Sequence, residues 1–131
     1  MSELKEPLWI TYEQAIAIHS RQLRRFGGAP GLRDEGTLRS ALERPIDKWR
    51  YEQAELAELA SAYGFGLAKN HAFVDGNKRV AFIAMRVFLL KNGVGFSPKP
   101  EYATAIILSL AAGEVSEESL TRWIRDNWPP E

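Results

Sequence analysis

The sequence predicts an all-α protein, a compact single-domain helical bundle over residues 1–131. Apolar residues recur at three- and four-residue spacing in six segments, the signature of helices with one buried face. Capping residues or Gly/Pro stops bracket these segments. No alternating stretch is long enough to build a sheet, and no repeat, low-complexity tract or linker divides the chain, although a small hairpin has room in a loop.

Thr11 followed by Gln14 is a capping box, and Ala15, Ile16, His19, Leu23 and Phe26 continue at helical spacing until Gly27-Gly28 ends the first helix. The run Gly27 to Leu32 is a loop by composition. Asp34 caps a second helix carrying Leu38, Ala41 and Leu42; it is expected to stop before Pro45, with a polar connection over Asp47 to Arg50.

Ala54 to Lys69 is rich in Ala, Leu and Glu. Leu56, Leu59, Ala60, Tyr63 and Leu67 make one stripe, and Gly64 and Gly66 allow close packing. A further helix starts near Asn77, exposes one face of Val80, Ile83, Ala84, Val87 and Phe88 to the core, and stops at Asn92-Gly93. Val94 to Pro100 reads as extended or irregular. Glu101 to Ala112 and Ser116 to Trp128 close the bundle, the last capped by Ser116 and ended by Pro129.

The 17 basic and 17 acidic side chains cancel, so no overall basic excess draws the chain onto nucleic acid or an anionic membrane. A chain without cysteine makes no disulfide or thiolate metal site. The start carries Glu3, Lys5 and Glu6 rather than a basic patch and an apolar run, and Val80 to Leu90 is interrupted by Arg86; neither reads as a signal peptide or a membrane span. The expected compartment is the cytoplasm. Trp9, Trp49, Trp123 and Trp128 read as core or rim packing rather than a base-stacking platform. Arg21, Arg24 and Arg25 form a basic patch on the first helix, usually a solvated face.

Chemistry concentrates in His71-Ala72-Phe73-Val74-Asp75-Gly76-Asn77-Lys78-Arg79, between two predicted helices. First-turn N–H groups have no partner within a helix, and the helix dipole adds positive charge, so Gly76 to Arg79 form an anion cradle. Lys78 and Arg79 add a point charge and a planar fork suited to a phosphoryl group in transfer. Asp75 offers a hard oxygen to magnesium, which is held by one or two carboxylates plus substrate phosphates. His71 is the expected general base toward an attacking hydroxyl, histidine being the side chain most often used for that step, while Phe73 is expected to turn inward and pin the loop. Taken singly, a histidine near a helix end is usually a hydrogen-bonded structural residue, and Asp-Gly-Asn is a common turn. The combination at this spacing carries the reading.

HAFVDGNKR resembles the signature of the Fic/Doc superfamily, and FGGAPGLRDEGTLRSALERP and AYGFGLAKN are similar to Doc-type proteins, so the resemblance covers most of the chain. It implies a bundle whose motif loop joins two central helices. Fic enzymes of this superfamily typically carry Gly after the motif Asn and a second Arg three residues beyond the first, and transfer AMP. Lys78 and Phe82 stand at those places here, and both resemble the Doc type.

The resemblance therefore implies a toxin of a type II toxin–antitoxin system. Its activity would be that of a protein kinase moving the gamma-phosphoryl group of ATP to a Ser/Thr hydroxyl, with elongation factor Tu the implied target and translation blocked. His71 would be the base and Asp75 the magnesium ligand. Gly76, Asn77, Lys78 and Arg79 would hold phosphates, with Lys69 a further candidate that is equally a solvated helix residue. AMP transfer and a silent nucleotide-binding module are the alternatives. The inhibitory Ser/Thr-x-x-x-Glu-Gly/Asn motif of many Fic proteins is missing; its nearest match ends at Glu35-Gly36, with Gly31 where the hydroxyl residue belongs. Inhibition by a separate Phd-type antitoxin, whose disordered C-terminal segment folds into a helix on the toxin, is what the resemblance implies instead.

Overall fold

A computed structural model describes residues 5–130 and places six α-helices among them. In chain order they are α1 (Tyr12–Phe26), α2 (Glu35–Glu52), α3 (Leu56–Asn70), α4 (Asn77–Lys91), α5 (Pro100–Ala111) and α6 (Glu117–Asp126). No β-strand forms among the described residues. The nearest approach to a hairpin is one antiparallel bridge between Leu32 and Phe73.

Helix α3 is the axis of the bundle, packed by α2, α4, α5 and α6. Its middle is buried on every side: Leu59, Ala60, Ser61, Ala62, Tyr63, Gly64, Gly66 and Leu67 have little or no exposure. Small residues make this possible. A Cβ on Gly64 would lie 2.5 Å from Met85 Sδ, so the bare backbone of α3 receives the Met85 side chain of α4. Gly66 faces Ala41 of α2 at ordinary van der Waals distance.

The capping box of α1 is formed: the Gln14 N–H donates to Thr11 Oγ1 and the Thr11 N–H to Gln14 Oε1. Asp34 and Ser116 cap α2 and α6 as the sequence indicates. The α3 start lies slightly later than expected, because Glu55 and Glu58 form a capping box of their own. Pro100 takes the first-turn position of α5, where a missing N–H costs nothing.

One expectation is overturned. Helix α2 does not stop before Pro45 but runs through it to Glu52, and the polar connection over Asp47 to Arg50 is its last turns. An interior proline costs about 3 kcal/mol locally. Tertiary contacts outweigh that cost, because Pro45 is buried and Trp49, one turn later, meets Trp9 edge-on with ring centroids 6.4 Å apart. The actual stop is Gln53, in the left-handed region at φ 51°, whose N–H donates to the Trp49 carbonyl.

The segment before α1 is strapped to the core. The Ile10 N–H donates to the Tyr63 hydroxyl, Lys91 Nζ donates to the Trp9 carbonyl, and Asn92 exchanges two hydrogen bonds with the Leu8 backbone. Burial pushes the Tyr63 phenol up to about 12, so it stays a neutral hydroxyl. Trp9 also stacks on Phe88 and Trp123 meets Phe96, whereas Trp128 sits at the rim. Among the described residues no helix is long and apolar enough to cross a membrane.

Candidate active site

The six residues between α3 and α4 form a loop tied down from three directions. His71 ends α3 in the left-handed conformation, φ 52° and ψ 48°, exposed to solvent. That turn sends Ala72 and Phe73 into the core, where both are buried. Phe73 thus turns inward as expected.

Backbone hydrogen bonds couple this loop to the one after α1. Arg33 and Asp34 N–H groups both donate to the Ala72 carbonyl, at 2.7 and 3.2 Å, and the Val74 N–H donates to the Gly31 carbonyl at 3.1 Å. The glycine-rich run after α1 is thus the outer wall of the site.

Asp75 lies at the meeting point of the two loops. Its Oδ2 accepts from the Ala29 N–H at 3.2 Å and its Oδ1 from the Gly76 N–H at 2.8 Å. These two donors, first Ala29 and then Gly76, hold the carboxyl below the usual carboxylate range; Arg79 and His19 add to the effect and partial desolvation opposes it. Asp75 is exposed and ionised at neutral pH. Each oxygen keeps lone-pair capacity beyond its one amide.

No group of three or more His, Asp or Glu side chains able to hold a metal comes together among the described residues. Among the described residues Asp75 is thus a lone carboxylate rather than part of a self-standing metal cluster.

Gly76 is the N-cap of α4 at φ 83°, a conformation glycine adopts without strain. Its own N–H is spent on Asp75, and the Asn77 side chain is spent as well: Phe73 N–H donates to Asn77 Oδ1 and Asn77 Nδ2 donates to the Phe73 carbonyl. What the α4 start offers an anion is the backbone N–H groups of Asn77, Lys78 and Arg79. No side-chain cap is made there, and the turn carries no acidic residue.

Lys78 is exposed, and the Arg79 guanidinium lies over the Phe26 ring, 4.5 Å from its centroid. Arg25 approaches the same ring at 5.4 Å, so part of the α1 basic patch flanks the loop. Lys69 is also exposed, but its Nζ lies 5.8 Å from the Phe65 centroid and beside Gly113, leaning toward the α5–α6 turn rather than the motif loop.

Three contributors are not singled out as site residues by the sequence. Gly28 and Ala29 reach Asp75 only through the fold, with no local signal. His19 did leave a signal: it is a polar ring on the apolar stripe of α1. It is buried, stacks on Phe73 at 3.9 Å and 11°, and its Nε2 lies 2.8 Å from the Asp75 carbonyl.

Residues 9–89, which hold both loops, α1 to α3 and nearly all of α4, match the Fic/DOC family. The chain belongs to the Fic/Doc family. Among its Fic/Doc relatives are "Protein kinase doc" of Escherichia phage P1, 34% identical over 117 residues that cover 88% of this chain and 92% of that protein. "Toxin Doc" of Mycolicibacterium smegmatis is 43% identical over 75 residues, covering 53% of this chain and 55% of that one. Both relatives are Doc proteins, so within the Fic/Doc family this chain sides with the Doc-type toxins. Lys78 is exposed at the first turn of α4, and Phe82 packs half-buried against the core.

Proposed function

We propose that the chain is a Doc-type toxin acting as a protein kinase in the cytoplasm, moving the gamma-phosphoryl group of ATP to a Ser or Thr hydroxyl of a translation protein. Elongation factor Tu is the target we favour. The single observation that carries this reading is the uncapped first turn of α4, flanked by Lys78 and Arg79 and preceded by an ionised Asp75. A relative similar over most of the chain is named a protein kinase, which supports the same reaction class.

In this reading the backbone N–H groups of Asn77, Lys78 and Arg79 bind phosphate oxygens, and the Lys78 and Arg79 side chains balance the charge that spreads in transfer. Asp75 holds magnesium, which when bound neutralises phosphate charge. His71, exposed at the end of α3, accepts the proton of the attacking hydroxyl as its oxygen bonds to the gamma phosphorus. The bond to the bridging oxygen breaks, and ADP leaves with that electron pair. Lys69 takes part in phosphate binding if its side chain swings from Phe65 toward the loop.

The sequence lacks the Ser/Thr-x-x-x-Glu-Gly/Asn motif, Gly31 standing where the hydroxyl residue belongs, which favours control by a separate antitoxin of the Phd type whose C-terminal segment folds on the toxin. The test is incubation with elongation factor Tu, magnesium and ATP, read by intact-protein mass and repeated with His71→Ala. A phosphate-sized gain lost in the variant is expected. An AMP-sized gain overturns the kinase in favour of nucleotidyl transfer. Nucleotide binding that survives His71→Ala, with no product in either protein, points to a silent binding module.

A further inference from the structure

The buried histidine of α1 has no part in the chemistry described so far, yet it touches the site at its most sensitive point. Burying an imidazole is costly unless its polar atoms are used. His19 Nε2 lies 2.8 Å from the Asp75 carbonyl oxygen, and a carbonyl only accepts, so Nε2 carries the proton and donates it. On the other side the ring lies flat on Phe73, centroids 3.9 Å apart. The edge of the same ring stands 3.7 Å from where a Cβ on Gly76 would be.

These contacts converge on one peptide plane. The Asp75–Gly76 peptide has its carbonyl held by His19 and its N–H held by the Asp75 carboxylate. It is the peptide that enters the N-cap residue Gly76, one before the Gly76–Asn77 peptide that opens α4, so its tilt bears on the direction of the N–H groups of Asn77, Lys78 and Arg79. It also sets the carboxylate proposed for magnesium. A planar ring wedged between Phe73 and Gly76 leaves that peptide one orientation.

We infer that His19 is a positioning residue for phosphoryl transfer: it fixes the Asp75–Gly76 peptide, and through it aims both the magnesium carboxylate and the anion-binding turn. The inference rests on the kinase reading for its kinetic consequence, but its structural content stands apart from it. Misplacing a bound group by about 1 Å costs roughly a hundredfold in rate, so a side chain outside substrate contact is a strong determinant here.

The experiment compares the full chain with His19→Gln, which offers an amide N–H at similar reach, and His19→Met, which fills the space without a donor. Backbone amide spectra, binding of ATP with magnesium by calorimetry, and gamma-label transfer are read on each. The Met variant is expected to shift the amide signals of Gly76 to Arg79, bind ATP with magnesium more weakly, and lose about ten- to a hundredfold in kcat/KM. Gln is expected to recover most of each loss. Met indistinguishable from the unaltered chain, or Gln as impaired as Met while both are folded, overturns the inference.

Should Met fail to fold, the unaltered chain decides by its own spectrum. A slowly exchanging imidazole Nε2 proton is expected, and one in fast exchange with solvent overturns the inference. If the unaltered chain transfers no phosphoryl group, the kinase reading falls on that result, and amide shifts with ATP affinity still decide the part played by His19.

Discussion

Gly28 is fitted against Asp75: a Cβ added to Gly28 would stand 2.9 Å from the Asp75 Oδ2 and 3.0 Å from Leu23 Cδ2. The residue also has φ +124°, a region that L side chains rarely adopt. Gly28→Ala is therefore expected to cost about 1–3 kcal/mol in stability and to displace the Asp75 carboxylate. Chemical unfolding measures the first effect. Affinity for ATP measured with and without magnesium checks the second: the magnesium-dependent gain should shrink in the variant.

His71 combines the base role proposed for it with a backbone constraint. It ends α3 at φ 52°, a conformation tolerated by Asn among residues with a side chain. His71→Asn should keep the fold, with stability changed by less than about 0.5 kcal/mol. It should lose the base, lowering the transfer rate by roughly a hundredfold to ten thousandfold. Unfolding midpoints and gamma-label transfer measured on the same preparation check both halves.

Asn77 is expected to act as a loop clamp through its side chain and as an anion donor through its backbone. Its amide exchanges two hydrogen bonds with Phe73, at 3.0 and 2.9 Å. Asn77→Ala should cost about 1–3 kcal/mol, because two part-buried backbone groups lose their partners. Asn77→Asp retains the acceptor for the Phe73 N–H but faces the Phe73 carbonyl without a donor, so it should also destabilise. Denaturant unfolding of both variants decides; unchanged midpoints would leave the side chain free for phosphate.

The helix order, the caps at Thr11, Asp34 and Ser116, and the motif loop were legible because each depends on residues near in sequence. Pro45 was misread because its burial and the Trp49 to Trp9 contact are long-range facts that a local propensity cannot carry. The same limit applies at the site. His71, Asp75 and the α4 start lie within one stretch of chain and announce themselves together. Ala29 and His19 approach Asp75 from 46 and 56 residues away. The pairing of the two loops, marked by the bridge between Leu32 and Phe73, brings Ala29 there, and the packing of α1 against α4 brings His19.

The electrostatics of Asp75 yield a pH signature with a definite sign. N–H donation by Ala29 and Gly76 depresses the folded midpoint relative to the unfolded chain. A depressed carboxylate stabilises the fold above its unfolded value, and that contribution is lost as pH falls through the folded midpoint. Titration of the Asp75 carboxyl carbon by NMR should thus find a midpoint below the usual carboxylate range. Gly28→Ala, by disturbing the loop that presents the Ala29 N–H, should move the midpoint back up toward that range. Asp75→Asn should flatten the acid limb of the stability curve, since a neutral amide has no proton to gain. A midpoint at or above the ordinary range in the unaltered chain would mean that the two amides do not hold the carboxylate in solution, and the magnesium assignment would lose its support.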